Sequence, residues 1–162
     1  MEKGLLVVKP EAYFSKDLVA KDIVDYGLSI DQRIEQRWTV EKIRKTYPPE
    51  MYPEWPMAIV IDNIIFGKFG KNPWIEAMII SSEKDSMEKI KKDLIGRFDA
   101  SYFQRPEESQ TLRYKYGIKK SRFPLPIGKN GEMNYFYYNG IHLNPKGRFE
   151  FEKNLYRQGI TV

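Results

Sequence analysis

The 162-residue chain contains no cysteine, a single histidine and no long apolar run. Without cysteine, thiol catalysis, cysteine-bound zinc and iron–sulfur clusters are excluded. With His142 as the only imidazole, a multi-histidine metal site is excluded too, and no metal ligand is assigned. Near the N-terminus the apolar run is Leu5 to Val8, too short for a signal peptide or a membrane span. The expectation is a cytoplasmic chain with no membrane partner.

The 41% hydrophobic and 30% charged content suits a single core, so residues 1–162 are expected to form one domain. A net charge of +5 favours anionic partners such as phosphates or nucleic acid, and is equally compatible with a solvated basic surface.

Local patterns give an order of elements. Leu5-Leu6-Val7-Val8 reads as a buried central strand. "KPEAYFSK" reads as a loop, because Pro10 disfavours helix at Lys9. Leu18, Val19, Ile23 and Val24 recur at helical spacing before Gly27. Leu28, Ile30 and Ile34 predict a half-buried strand, read with a bulge. Thr39 caps a short helix that four prolines then break. "MAIVIDNIIFGKFG" fits helix or strand, whereas "WIEAMIISS" is a strand. Met87, Ile90 and Leu94 predict a helix, capped by Ser82 or Asp85 and stopped by Gly96. Long loops then surround "TLRYKYG", before the aromatic strand "NYFYYNGIHL" and a closing helix that Asn144 caps. The class is α+β, compatible with a ferredoxin-like antiparallel sheet carrying helices on one face.

Four places offer chemistry. Lys9 projects from the end of the first strand. Thr111 and Arg113 alternate on one face of what reads as an extended segment, and arginine grips phosphate through paired N–H groups. Lys115, Lys119, Lys120, Arg122 and Lys129 form a basic loop with no carboxylate between 115 and 129. It reads as a phosphate or nucleic-acid site or as a solvated loop. Finally, Asn139-Gly140-Ile141-His142 ends the aromatic strand just before a helix start. A helix N-terminus keeps an imidazole neutral, and Glu150 or Glu152 could hold its second nitrogen.

In this order the segments "GLLVVKPEA", "VAKDIVDYGLSI", "IEAMII", "LIGRFDA", "TLRYKYG" and "NGIH" resemble the nucleoside diphosphate kinases, from residue 4 to about 155. The resemblance implies a ferredoxin-like fold of that family, here with an enlarged basic loop before the last strand. It implies a ping-pong phosphotransferase. His142 takes the γ-phosphate of a nucleoside triphosphate and passes it to a nucleoside diphosphate or related acceptor. Mg2+ arrives on the nucleotide, and a homo-oligomer is expected. Carried over by residue, His142 is the nucleophile and Glu152 its supporting carboxylate, with Glu150 as the other register. Lys9, Tyr47, Trp55, Lys92, Arg97, Arg113 and Asn139 are the nucleotide-binding set.

The chain departs from the family at "LNPK" after His142, at Lys92 in place of an arginine and at Phe98 in place of a threonine. These departures support an alternative, a catalytically impaired nucleotide-binding or protein-interaction module on the same fold. An RNA-binding sheet suggested by "NYFYY" ranks last, because the glycine-aromatic RNA-binding pattern is absent, and nucleic acid is not an expected partner.

Overall fold

The computed structural model describes residues 1–46, 73–96, 107, 109–117, 124–126, 133–135, 140–144 and 160. Its main sheet has strands β1 (Glu2–Val8), β2 (Ser29–Arg37), β3 (Trp74–Ser82) and β6 (Ile141–Asn144), in the order β2-β3-β1-β6. Every pairing is antiparallel. Two short strands, β4 (Pro124–Pro126) and β5 (Met133–Tyr135), form a separate antiparallel ladder. This is an α+β, ferredoxin-like arrangement.

β1 lies between β3 and β6, and its apolar run is buried on both sides, as continuous branched apolar residues require. β2 is an edge strand. It carries alternating charges, which discourage pairing with another chain, and its register shifts between Ile30 and Gln32. The bulge expected in this strand is therefore present, and it sets Ile30, opposite Ile80, and Ile34, opposite Ala77, on different faces.

α1 (Lys16–Tyr26) turns Val19, Ala20 and Ile23 inward and ends at Gly27. Leu18 and Val24, expected on the core face, are each 56% exposed. The helix packs through the narrower stripe of Val19, Ala20 and Ile23, which shares one core with Leu6, Val8 and Met78. The stretch expected as a loop after Lys9 is instead a 3-10 helix, Pro10–Ser15, because Pro10 is already set for a first helical position. α2 (Val40–Thr46) starts as expected, with the Lys42 N–H donating to Thr39 Oγ1 at 3.3 Å.

α3 (Met87–Ile90) is capped by Ser86, whose Oγ accepts from the Lys89 N–H. Neither Ser82 nor Asp85 is the cap: Ser82 Oγ accepts from the Asp85 N–H in the preceding turn. The helix then widens into a π turn, Lys91–Ile95, closed by the Gly96 N–H on the Lys91 carbonyl. The segment around Thr111, read as extended, is the helix α4 (Leu112–Tyr116). The stretch read as one aromatic strand contributes to two different ladders, Tyr135 to β5 and Ile141 to β6. Asn144, read as a helix cap, is the last residue of β6, and the expected closing helix lies outside the described residues.

Val19 and Ile23 of α1, Met87 and Ile90 of α3, and Leu6, Val8, Met78, Ile80, Ile141 and Leu143 of the sheet share one core. Each fully buried aliphatic side chain contributes about 1.5–3 kcal/mol of transfer free energy. Among the described residues no helix is long and apolar enough to cross a membrane.

Candidate active site

The site is assembled where β1 and β6 run side by side. The register places His142 opposite Val7 and Ile141 opposite Val8. Ile141 and Leu143 belong to the core with Leu6 and Val8, so His142 and Val7 emerge on the other sheet face. His142 is half-buried. One step beyond β1, the Lys9 N–H donates to the Gly140 carbonyl at 2.7 Å, which prolongs the ladder. Lys9 is extended, with φ −75° and ψ 168°, so it follows Val7 by the two-residue period onto the His142 face. The two side chains leave the sheet roughly one strand repeat, about 7 Å, apart along β1.

Gly140 has φ 75°, and a Cβ there would lie 2.9 Å from Ala12 Cβ and 3.2 Å from the Tyr116 carbonyl oxygen. Glycine satisfies both demands, a left-handed backbone and a close approach. The two short motifs after β1 and before β6 are thereby locked together.

Arg113 lies in α4 and is buried. Its Nε donates to the Ile141 carbonyl at 2.9 Å and its Nη1 to the Gly96 carbonyl at 3.1 Å. Gly96 has φ 91°, and a Cβ there would meet Thr111 Oγ1 at 2.5 Å, so the end of the π turn sits directly on the start of α4. The far end of α4 is tied to α1. Asp22 Oδ2 accepts from Lys115 Nζ at 2.5 Å and from Tyr116 Oη at 2.7 Å. Burial pushes the Asp22 carboxyl up, but the hydrogen bonds from Lys115 and Tyr116 outweigh it and hold it below its ordinary value. Burial, reinforced by the bond to Asp22, pushes the Tyr116 hydroxyl well above its ordinary value.

A second polar cluster lies beside the first turn of α1. Glu76, only 3% exposed, accepts from Arg33 Nε at 2.8 Å and from Nη2 at 2.9 Å. Arg33 Nη2 also donates to Asp17 at 2.7 Å, and its hydrogen bonds to Glu76 and then to Asp17 raise the Arg33 pKa further. Lys16 pairs with Glu35 close by.

Of the residues expected at the site, the fold brings together the backbones at Lys9 and His142 with the side chain of Arg113. Lys92 is exposed on the π turn, four residues before Gly96. Glu150, Glu152, Tyr47, Trp55, Arg97 and Asn139 lie outside the described residues. In the basic loop, Lys115 is committed to Asp22. Sequence reasoning missed Ala12, Gly96 and Asp22. The motif "KPEA" pointed at Ala12, but its contact with Gly140 is between residues 128 apart and leaves no local signal.

No family model matches the chain, and no curated protein matches it either. Solved structures do. The Aquifex aeolicus nucleoside diphosphate kinase aligns with a TM-score of 0.65 at 18% identity, over 96% of this chain and 93% of that one. The Halobacterium salinarum nucleoside diphosphate kinase, solved in complex with CDP, gives 0.62 at 19% identity, over 96% and 86%. An NDP kinase from Pyrobaculum aerophilum gives 0.56 at 20% identity, over 96% and 94%. The chain therefore has the α+β, ferredoxin-like fold seen in nucleoside diphosphate kinases.

Proposed function

We propose that the protein is a nucleoside diphosphate kinase-like phosphotransferase that works through a phosphohistidine at His142. The observation that carries this reading is the β1–β6 register, which sends Lys9 and the chain's only histidine out of one sheet face as near neighbours. A ring nitrogen of His142 attacks the γ-phosphorus of a nucleoside triphosphate. The N–P bond forms as the P–O bond to the departing nucleoside diphosphate breaks. An oxygen of the acceptor diphosphate then attacks the same phosphorus and frees the imidazole. Such transfer depends on positioning and on positive charge around the phosphoryl oxygens more than on acid–base chemistry.

Lys9 supplies charge beside the transferred group, and Mg2+ enters as part of the nucleotide substrate. Lys92 and Arg97 add charge to the phosphates, Asn139 and Tyr47 contact the nucleotide, Trp55 stacks on the base, and Glu152 orients the imidazole. These roles rest on the sequence resemblance. The complex of the similarly folded Halobacterium salinarum enzyme with CDP supports a nucleotide as ligand.

Incubation with γ-labelled ATP and Mg2+ tests the reading. Acid-labile label is expected on the wild type and none on His142→Ala. A wild type that takes no label, or label that survives the substitution, ends it.

One observation favours the second reading, a nucleotide-binding module without turnover. The Arg113 guanidinium, which the resemblance assigns to phosphate, is directed at two main-chain carbonyls. An unlabelled wild type that still binds ADP would establish that reading.

A further inference from the structure

Among the described residues the buried charged side chains are Glu76 and Arg113. Glu76 is held by the guanidinium of Arg33. Arg113 directs two of its donors at backbone, at two particular points of it. The Ile141 carbonyl belongs to the peptide that joins Ile141 to His142. The Gly96 carbonyl belongs to the tight turn that ends the π segment. A guanidinium is a rigid plane, so two of its N–H groups bonded to two carbonyls fix both the distance and the angle between them. Each anchor is itself held. Gly96 sits against Thr111, and α4 is latched to α1 through Lys115 and Tyr116 on Asp22.

We infer that Arg113 is a positioning residue, which fixes the Ile141–His142 peptide and so aims the imidazole at the phosphorus. This rests on the phosphohistidine reading above. The physical reason is leverage. His142 hangs from a four-residue strand, and a misplacement of about 1 Å at a reacting atom costs up to roughly a hundredfold in rate. The ladder to β1 holds one side of β6. Arg113 holds the carbonyl of Ile141, directly before His142. Arg113→Lys keeps the charge and loses the two-point geometry, so it separates the two roles.

The test uses the full chain and two readings of Arg113→Lys. These are the affinity for ADP with Mg2+ by calorimetry, and the single-turnover rate of His142 phosphorylation at saturating ATP. Positioning predicts a dissociation constant within about threefold of wild type and a rate at least about tenfold lower. A dissociation constant raised tenfold or more with an unchanged saturated rate overturns it, since that pattern marks a lost phosphate contact. Should the variant fail to fold, the wild type decides through the NMR signal of the Arg113 Nε–H. A signal that stays in place on saturation with ADP and Mg2+ supports the clamp, and a displaced signal refutes it. A wild type that takes no acid-labile label sinks the phosphohistidine reading itself. A labelled wild type whose Arg113→Lys variant binds ADP weakly but is phosphorylated at the wild-type saturated rate sinks the positioning role alone.

Discussion

Ala12 and Gly140 touch so closely that a Cβ on Gly140 would stand 2.9 Å from Ala12 Cβ. Through this contact the turn that follows β1 and the residues that precede His142 form one unit. Gly140→Ala adds the cost of a left-handed backbone to that of overpacking, together about 2–5 kcal/mol. Urea denaturation should show this loss. The double substitution with Ala12→Gly should recover part of it, because space is then returned on one side. Equal losses in the single and double variants would show that the contact is not the cause.

Glu76 and Arg33 give a second prediction. Glu76→Gln leaves the guanidinium beside a neutral amide in a site that is 3% exposed, at an expected cost of about 2 kcal/mol. That is below the usual range for breaking a buried pair, because the Arg33 side chain is 37% exposed and water can take over part of the work. Asp17→Asn removes the other partner of Arg33, whose side chain is 79% exposed, and its effect should be clearly smaller. Chemical denaturation of the two variants side by side checks the order.

Acid stability depends on Asp22. A carboxylate held below its unfolded pKa stabilises the fold at all higher pH, and that contribution disappears as pH falls through the folded value. The Asp22 carboxyl is held low by Lys115 and Tyr116 against the opposing effect of burial. Stability should therefore fall below about pH 4, and Asp22→Asn should flatten that limb. Asp17, held low chiefly by its bond from Arg33, and Asp31, held low chiefly by Lys3, keep a residual slope. An unchanged limb in Asp22→Asn would remove Asp22 from the account.

Lys9→Met tests the phosphate side of the site. Loss of a charge-assisted hydrogen bond is worth about 1.5–3 kcal/mol, so affinity for ADP should fall roughly ten- to a hundredfold. The main-chain bond from Lys9 to Gly140 is retained in this variant, so thermal stability should stay near that of wild type. A stable variant with unaltered affinity would take Lys9 out of the site.

Much of the frame was legible in the residues themselves. The four apolar residues of β1, the Gly27 stop and the Thr39 cap are all local. Each is written in an apolar run, a stop or a cap within one element. Pro10 keeps Lys9 out of helix, as expected, yet the stretch expected as a loop is a 3-10 helix, because the same fixed φ suits a first helical position.

The sequence by itself determined β1, α1, β2 and β3 as elements and the pairing of a lone histidine with a strand-end lysine as candidates. It did so because periodicity and capping act over a few residues. Only the tertiary structure decided which face of α1 is covered, that Leu18 and Val24 stay outside, and that "LRYKY" is helix. It also decided what Arg113 does with its donors. Two of its acceptors are the carbonyls of Gly96 and Ile141, 17 and 28 residues away, and every residue offers the same main-chain carbonyl. A contact to such a group leaves no mark on the identity of its partner, so it becomes visible only once the chain has brought the two together.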